Sequence, residues 1–138
     1  MQFRVPAGWT VRNDGGFAIA RSKAGDAGFV LAGSDETSKL PDVLHLAERE
    51  FDARFPVGLG DQKLQIGSLP YTFLLSQAEE QRRGRVLRTS TLMGRGPRTM
   101  SLVVLVYVNV TAGPDGDAEG ARHGQVFETI LASFVPEP

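Results

Sequence analysis

Two histidines are the residues of this chain best suited to acid–base or metal chemistry, because the sequence has no cysteine to offer a thiolate. His45 falls near Arg49 and Asp52 on the polar side of a predicted helix, and His123 falls at the start of a second one. Neither belongs to an HxH or HxxxH arrangement, so both read as solvated surface histidines, and no metal centre or acid–base pair is expected. The stretch Asp115-Gly116-Asp117-Ala118-Glu119-Gly120 places oxygen donors at alternate positions with glycine sixth, as a calcium loop does. Its twelfth position is Val126 where a bidentate glutamate is needed, and Glu128 comes two residues late. The better reading is a solvated loop that caps the last helix through Asp117.

Arginines crowd the second half of the chain: Arg82, Arg83, Arg85, Arg88, Arg95 and Arg98. On a strand, Arg83 and Arg85 would share a face and Arg88 would point oppositely. Such a set can grip an acidic or phosphate-bearing partner, or form a charged rim that keeps strand edges from pairing; the rim is the favoured reading. No aromatic residues interleave with these arginines, so single-stranded nucleic acid has no stacking platform and nucleic acid is not an expected partner. Gly58-Leu59-Gly60 and Gly94-Arg95-Gly96-Pro97 lack the order of a dinucleotide loop or a P-loop and read as turns. There is no GxSxG elbow for a serine nucleophile. Glu79 and Glu80, adjacent on a strand, would face opposite ways, which is wrong for paired-carboxylate catalysis. The sequence therefore points to no enzyme, no cofactor and no catalytic residue.

A length of 138 residues suits one domain spanning 1–138 with a real hydrophobic core. Fifteen basic and sixteen acidic residues give a formal charge of -1, so no global field draws the chain to nucleic acid or an anionic membrane. The opening MQFRVPAGW has neither the basic flank nor the apolar run of a signal peptide, and Leu102 to Val108 is far short of the ~20 residues that span a bilayer. The expected location is cytoplasmic, without membrane insertion, or periplasmic if a leader has been removed.

The elements follow from periodicity. Phe3 and Val5 alternate with Arg4 as a short first strand that Pro6 ends; Gly8 permits a turn, and Trp9 covers one end of the sheet. After the turn signature Asn13-Asp14-Gly15-Gly16, Phe17 to Ala20 and Gly28 to Leu31 read as a hairpin. Leu40, Val43, Leu44, Ala47, Phe51 and Phe55 recur at helical spacing and predict an amphipathic helix over about 40–55, with Ser38 as cap and Leu46 projecting away from the stripe. Alternation returns in Lys63 to Ile66, Pro70 to Glu79, Arg85 to Met93 and Met100 to Val110, a meander broken at Gly67-Ser68, Gln81 to Gly84 and Gly94 to Pro97. In SLVVLVYVNV both faces are apolar, with Leu102, Val104 and Val106 on one side and Val103, Leu105 and Tyr107 on the other, so helices must cover both sides of the sheet. Val126, Phe127, Ile130, Leu131 and Phe134 supply the second helix, over about 119–134 and ending before Pro136. The fold class is α+β: an α/β/α sandwich with a twisted antiparallel sheet of about six or seven strands.

This order of elements, with Phe3-Arg4-Val5-Pro6-Ala7-Gly8-Trp9 at the start, Gly67-Ser68-Leu69-Pro70-Tyr71 before the long meander strand and Ile130-Leu131-Ala132-Ser133-Phe134 at the end, resembles the Mog1/PsbP-like superfamily. That superfamily includes bacterial domains of unknown function and the Eag-type chaperones of type VI secretion. The resemblance implies binding rather than catalysis and carries over no catalytic residue. Its favoured form is a bacterial adaptor or secretion chaperone that shields an apolar segment of an effector protein, and such chaperones resemble dimers, which makes a homodimer the implied assembly. The binding residues proposed on these grounds are Leu46, Arg83, Arg85, Arg88, Leu102, Val104 and Val106. A ligand-binding domain of the cell envelope, periplasmic or lipoprotein, is the alternative. An enzyme with an unrecognised site comes third.

Overall fold

The computed structural model describes residues 3–14, 17–34, 40–57, 62–66, 69, 71–96 and 101–133. Seven strands form one antiparallel sheet: β1 (Thr10–Asp14), β2 (Phe17–Arg21), β3 (Ala27–Ser34), β4 (Gln62–Leu64), β5 (Thr72–Arg82), β6 (Arg85–Arg95) and β7 (Ser101–Thr111), in the spatial order β1-β2-β3-β7-β6-β5-β4. Helix α1 (Leu40–Phe51) connects β3 to β4, and α2 (Pro114–Ala132) follows β7. The last strand in sequence is thus the middle of the sheet, paired with β3 from Ala27↔Val108 to Ser34↔Ser101 and with β6 from Arg85↔Thr111 to Arg95↔Ser101.

That central place is why β7 is apolar on both faces. Leu102, Val104, Val106, Val108 and Val110 join Phe29, Leu31, Phe73, Phe127, Ile130 and Leu131 in the core on the α2 side. Leu105 and Tyr107 join Ile19, Val30, Val43, Ala47 and Phe51 in the core on the α1 side. The layered α+β architecture expected from the doubly apolar run is therefore present, with a helix on each face.

Several boundaries differ from the sequence reading. Phe3 to Pro6 is not a strand: this segment crosses the α2 face, where Phe3 and Val5 pack on the core and the Arg4 N–H donates to Ser133 Oγ at 2.7 Å. The Trp9 N–H donates to the Pro6 carbonyl at 3.2 Å, and Gly8 in the middle of that turn has φ 88, a value that only glycine adopts without strain. The first strand comes later, as β1, and its composition hid it. TVRND has one apolar residue because a strand at the sheet edge has little to bury.

Helix α1 stops at Phe51, not near 55, because Asp52 turns left-handed at φ 49. Ala53 and Phe55 still reach the α1-side core, from extended chain that lies along the sheet, where Thr91 Oγ1 donates to the Pro56 carbonyl at 2.8 Å. Leu46 does not project away. It is buried beside Val43 and Ala47, three residues on from Val43, so the buried stripe is one residue wider than the reading allowed.

Helix α2 begins at Pro114, not near 119, and so absorbs the segment read as a calcium-type or capping loop. Gly113, at φ 99, is the N-cap without a side-chain cap, and Pro114 fits the first turn because no partner is needed for its missing N–H. Asp115 and Asp117 sit at the positive end of the helix dipole. The helix start had no apolar signal because Gly116 is the residue buried there; a Cβ on it would lie 1.5 Å from the Thr111 carbonyl oxygen.

The β5–β6 break expected over Gln81 to Gly84 narrows to Arg83-Gly84, with φ 50 and 76, the two-residue type I′ turn that suits a right-handed hairpin. The expectations placed on Gly15-Gly16, Ser38, Gly58 to Gly60, Gly67-Ser68, Pro70, Pro97, Arg98, Met100, Phe134 and Pro136 lie outside the described residues.

Candidate functional site

Among the described residues, a group of metal-ligating side chains converges between the middle of α2 and the β2–β3 turn. The turn is closed by backbone bonds, from Ser22 N–H to the Ala27 carbonyl at 2.8 Å and from Gly25 N–H to the Ser22 carbonyl at 3.0 Å. Inside it, Ser22 Oγ donates to Asp26 Oδ1 at 2.8 Å and accepts the Ala27 N–H at 3.1 Å. The Asp26 carbonyl accepts the Asn109 N–H of β7 at 2.7 Å. Backbone and carboxylate of Asp26 are therefore both fixed, and Oδ2 is left to face the helix.

Glu119 and His123, four residues apart, share one side of α2 and descend toward that oxygen. His123 Nε2 stands 3.3 Å from Asp26 Oδ2 and 3.9 Å from Glu119 Oε1. The nitrogen is closed to solvent and makes no hydrogen bond of acceptable geometry. The three side chains are 17, 24 and 29% exposed for His123, Asp26 and Glu119. Burial pushes the Asp26 carboxyl up, but the Ser22 hydroxyl, the nearby His123 charge and backbone hydrogen bonding outweigh it and hold the group below its usual range. His123 is thus half-buried in the middle of a helix, not a solvated residue at its start. Asp26, Glu119 and His123 are, among the described residues, the group whose donor atoms come close enough to hold a metal ion, all within 4.8 Å of one another.

A second polar contact lies beside it. On β6, Arg88 points to the α2 side, where Nε is 3.2 Å from Glu79 Oε1 and Nη2 donates to Asp117 Oδ1 at 2.5 Å. The helix comes down closely enough that a Cβ on Gly120 would stand 2.5 Å from Arg88 Nη1. Asp117 thus ties α2 to the sheet through Arg88 and caps nothing. Arg88 is engaged by two carboxylates, which makes it a helix anchor rather than an open anion receptor.

The other arginines are distributed differently from the expectation. Arg83 lies in the hairpin turn, so it does not share a strand face with Arg85. Arg85 donates through Nε to Asn109 Oδ1 at 2.7 Å, and Arg82, paired with it across the hairpin, bonds Glu80 and also the Asp52 carbonyl. Glu79 and Glu80 face opposite ways, as predicted, each with its own arginine. Leu102, Val104 and Val106 are core residues beneath α2, and Leu46 is core beneath α1. None of these four offers a surface to a partner.

At the far edge, β1 carries the exposed Val11, 45% accessible. The strand is held to α1 by Arg12 Nη2 donating to Glu50 Oε2 at 2.9 Å. On the neighbouring strand, Arg21 bonds both the Glu50 carbonyl and its carboxylate. The Arg21 guanidinium also lies 5.1 Å over the Phe51 ring, which stacks on Tyr107 at 4.9 Å.

No family model and no curated protein matches the chain. Solved structures similar to it include the following two. One is LpqN of Mycobacterium tuberculosis, involved in cell envelope biogenesis, with 11% identity, a TM-score of 0.43, and coverage of 94% of this chain and 78% of that one. The other is the protein of unknown function PA94 from Pseudomonas aeruginosa, a putative regulator, with 16% identity, a TM-score of 0.42, and coverage of 96 and 99%. The superfamily resemblance drawn from the sequence motifs is not among these findings. Among the described residues no helix is long and apolar enough to cross a membrane.

Proposed function

We propose that the protein is a binding domain, not a catalyst, and that it takes an extended segment of a partner chain alongside β1. The observation that carries this reading is the state of the two sheet edges. β4 is three residues long, an edge too short to pair well with an added strand. β1 is five residues long, has no proline, ends the sheet order and presents the exposed Val11, and the Arg12–Glu50 pair holds it in place. Its outward N–H and C=O groups can bond an added strand, and Val11 can receive an apolar side chain of that strand.

The secretion-chaperone form of this reading is supported by the sequence resemblance alone. An apolar effector helix would need a bare sheet face, whereas Leu102, Val104 and Val106 lie under α2. An apolar segment bound in extended form at β1 is compatible with both helices staying in place.

The test is a titration of 15N-labelled protein with eight-residue peptides of alternating valine and threonine. The expected result is amide shifts at residues 10–14 that saturate, and that vanish in Val11→Lys while the rest of the spectrum is unchanged. Saturable shifts centred on β4 or on a helix, or no shifts at millimolar peptide, would overturn the reading.

A further inference from the structure

We infer that Asp26, Glu119 and His123 form a binding site for one divalent first-row metal ion, Zn²⁺ by preference. The donor set is one imidazole nitrogen and two carboxylates, which zinc accepts readily, with water completing a four-coordinate shell. Zinc bonds of about 2.0–2.1 Å at tetrahedral angles put neighbouring donor atoms roughly 3.3 Å apart. His123 Nε2 and Asp26 Oδ2 are 3.3 Å apart, and Glu119 Oε1 is 3.9 Å from the same nitrogen, so a small inward rotation of the Glu119 side chain completes the set. Two of the donors come from one helix face at a spacing of four residues, and the third comes from a strand end across the layer boundary.

His123 Nε2 is closed to solvent, and its nearest partners are the two carboxylates, with Asp26 Oδ2 in an ion pair at 3.3 Å and Glu119 Oε1 at 3.9 Å. A metal ion there would take the imidazole lone pair and neutralise the two carboxylates at once. The support behind the donors is also of the kind metal sites have. Ser22 Oγ holds Asp26 Oδ1 at 2.8 Å and so aims Oδ2 at the imidazole. The bound ion would join α2 to the β2–β3 turn.

The chain has only two histidines, which makes the test direct. Chelator-stripped protein at pH 7 is titrated with zinc sulfate while the ring proton signals of both histidines are followed by NMR, with unfolding temperature measured in parallel. The expected result is a shift of the His123 signals complete at one equivalent, little change at the exposed His45, and a melting temperature that rises with free zinc. Glu119→Gln, on the helix surface, and Ser22→Ala should each weaken binding by about tenfold or more. Asp26→Asn should weaken it further. Shifts at His45 instead of His123, or zinc affinity unchanged in both Glu119→Gln and Asp26→Asn, would overturn the site; so would the absence of any His123 response at tenfold excess zinc. If Asp26→Asn fails to fold, Glu119→Gln alone decides the outcome.

Discussion

The two halves of α2 hold the same sheet by opposite means. In the C-terminal half, Phe127, Ile130 and Leu131 are buried, and Phe127 meets Trp9 at 5.9 Å and Phe29 at 6.1 Å, both edge to face, while Phe3 adds a ring 5.6 Å from Phe29. In the N-terminal half the buried residue is Gly116, and the contacts around it are Asp117 with Arg88 and His123 with Asp26. Apolar contact gains free energy in proportion to the area removed from water and does not depend on pH. Polar contact in a half-exposed place contributes less net stability, but it responds to protons and ions. The difference suggests a division of labour along one helix: the C-terminal half fixes α2 to the sheet, and the N-terminal half can be tuned.

Substitutions should separate the halves. Phe127→Ala removes the ring that joins Trp9 to Phe29 and is expected to cost about 3–5 kcal/mol of unfolding free energy in urea titration. Gly116→Ala should cost about 1–3 kcal/mol, since its methyl group meets backbone, the Thr111 carbonyl, and the helix start must shift to make room. Loss of less than about 0.5 kcal/mol would mean that the N-terminal half is not seated closely on the sheet.

Asp26→Asn tests the tunable contact through pH. The carboxyl of Asp26 titrates below its ordinary value in the folded protein, so its ionised form stabilises the fold. That contribution is fully present above the unfolded value of about 3.9 and is lost as pH falls through the lower folded value. The stability difference between wild type and Asp26→Asn should therefore be present at pH 6 and shrink toward zero below about pH 4. A difference that is constant over this range would remove Asp26 from the account. Arg88→Met, on partners that are largely exposed, should cost only about 0–1 kcal/mol in the same assay.

The contrast also explains what the sequence showed and what it concealed. Wherever an element buries an apolar face, its period was legible: the β2–β3 hairpin, α1, the long meander and the last two turns of α2 all announce themselves through Val, Leu, Ile and Phe. Where packing is by glycine or by charge, periodicity has nothing to report. The first turn of α2 looked like a loop because Gly113, Pro114, Asp115, Gly116 and Asp117 carry turn chemistry and no apolar period, and β1 was missed because an edge strand need not alternate. Of the residues nominated for binding, Leu46, Leu102, Val104 and Val106 were apolar because they are core. Arg88 was placed on the face opposite Arg85, where it stands, but its two acidic partners come from β5 and α2. One signal for the candidate site was available. Glu119 followed four residues later by His123 puts two donors on one helix face. Asp26 could not have been added to them from sequence, because 93 residues separate it from Glu119 and only the pairing of β3 with β7 brings the two together.

Native-state amide hydrogen exchange along α2 tests the division of labour most directly, comparing wild type with Asp26→Asn at pH 6. The account predicts faster exchange in Asp26→Asn at residues 118–124, by local opening, with rates at residues 127–132 changed only as far as global stability changes. Equal acceleration along the whole helix would contradict it, because the two halves would then open as a single unit.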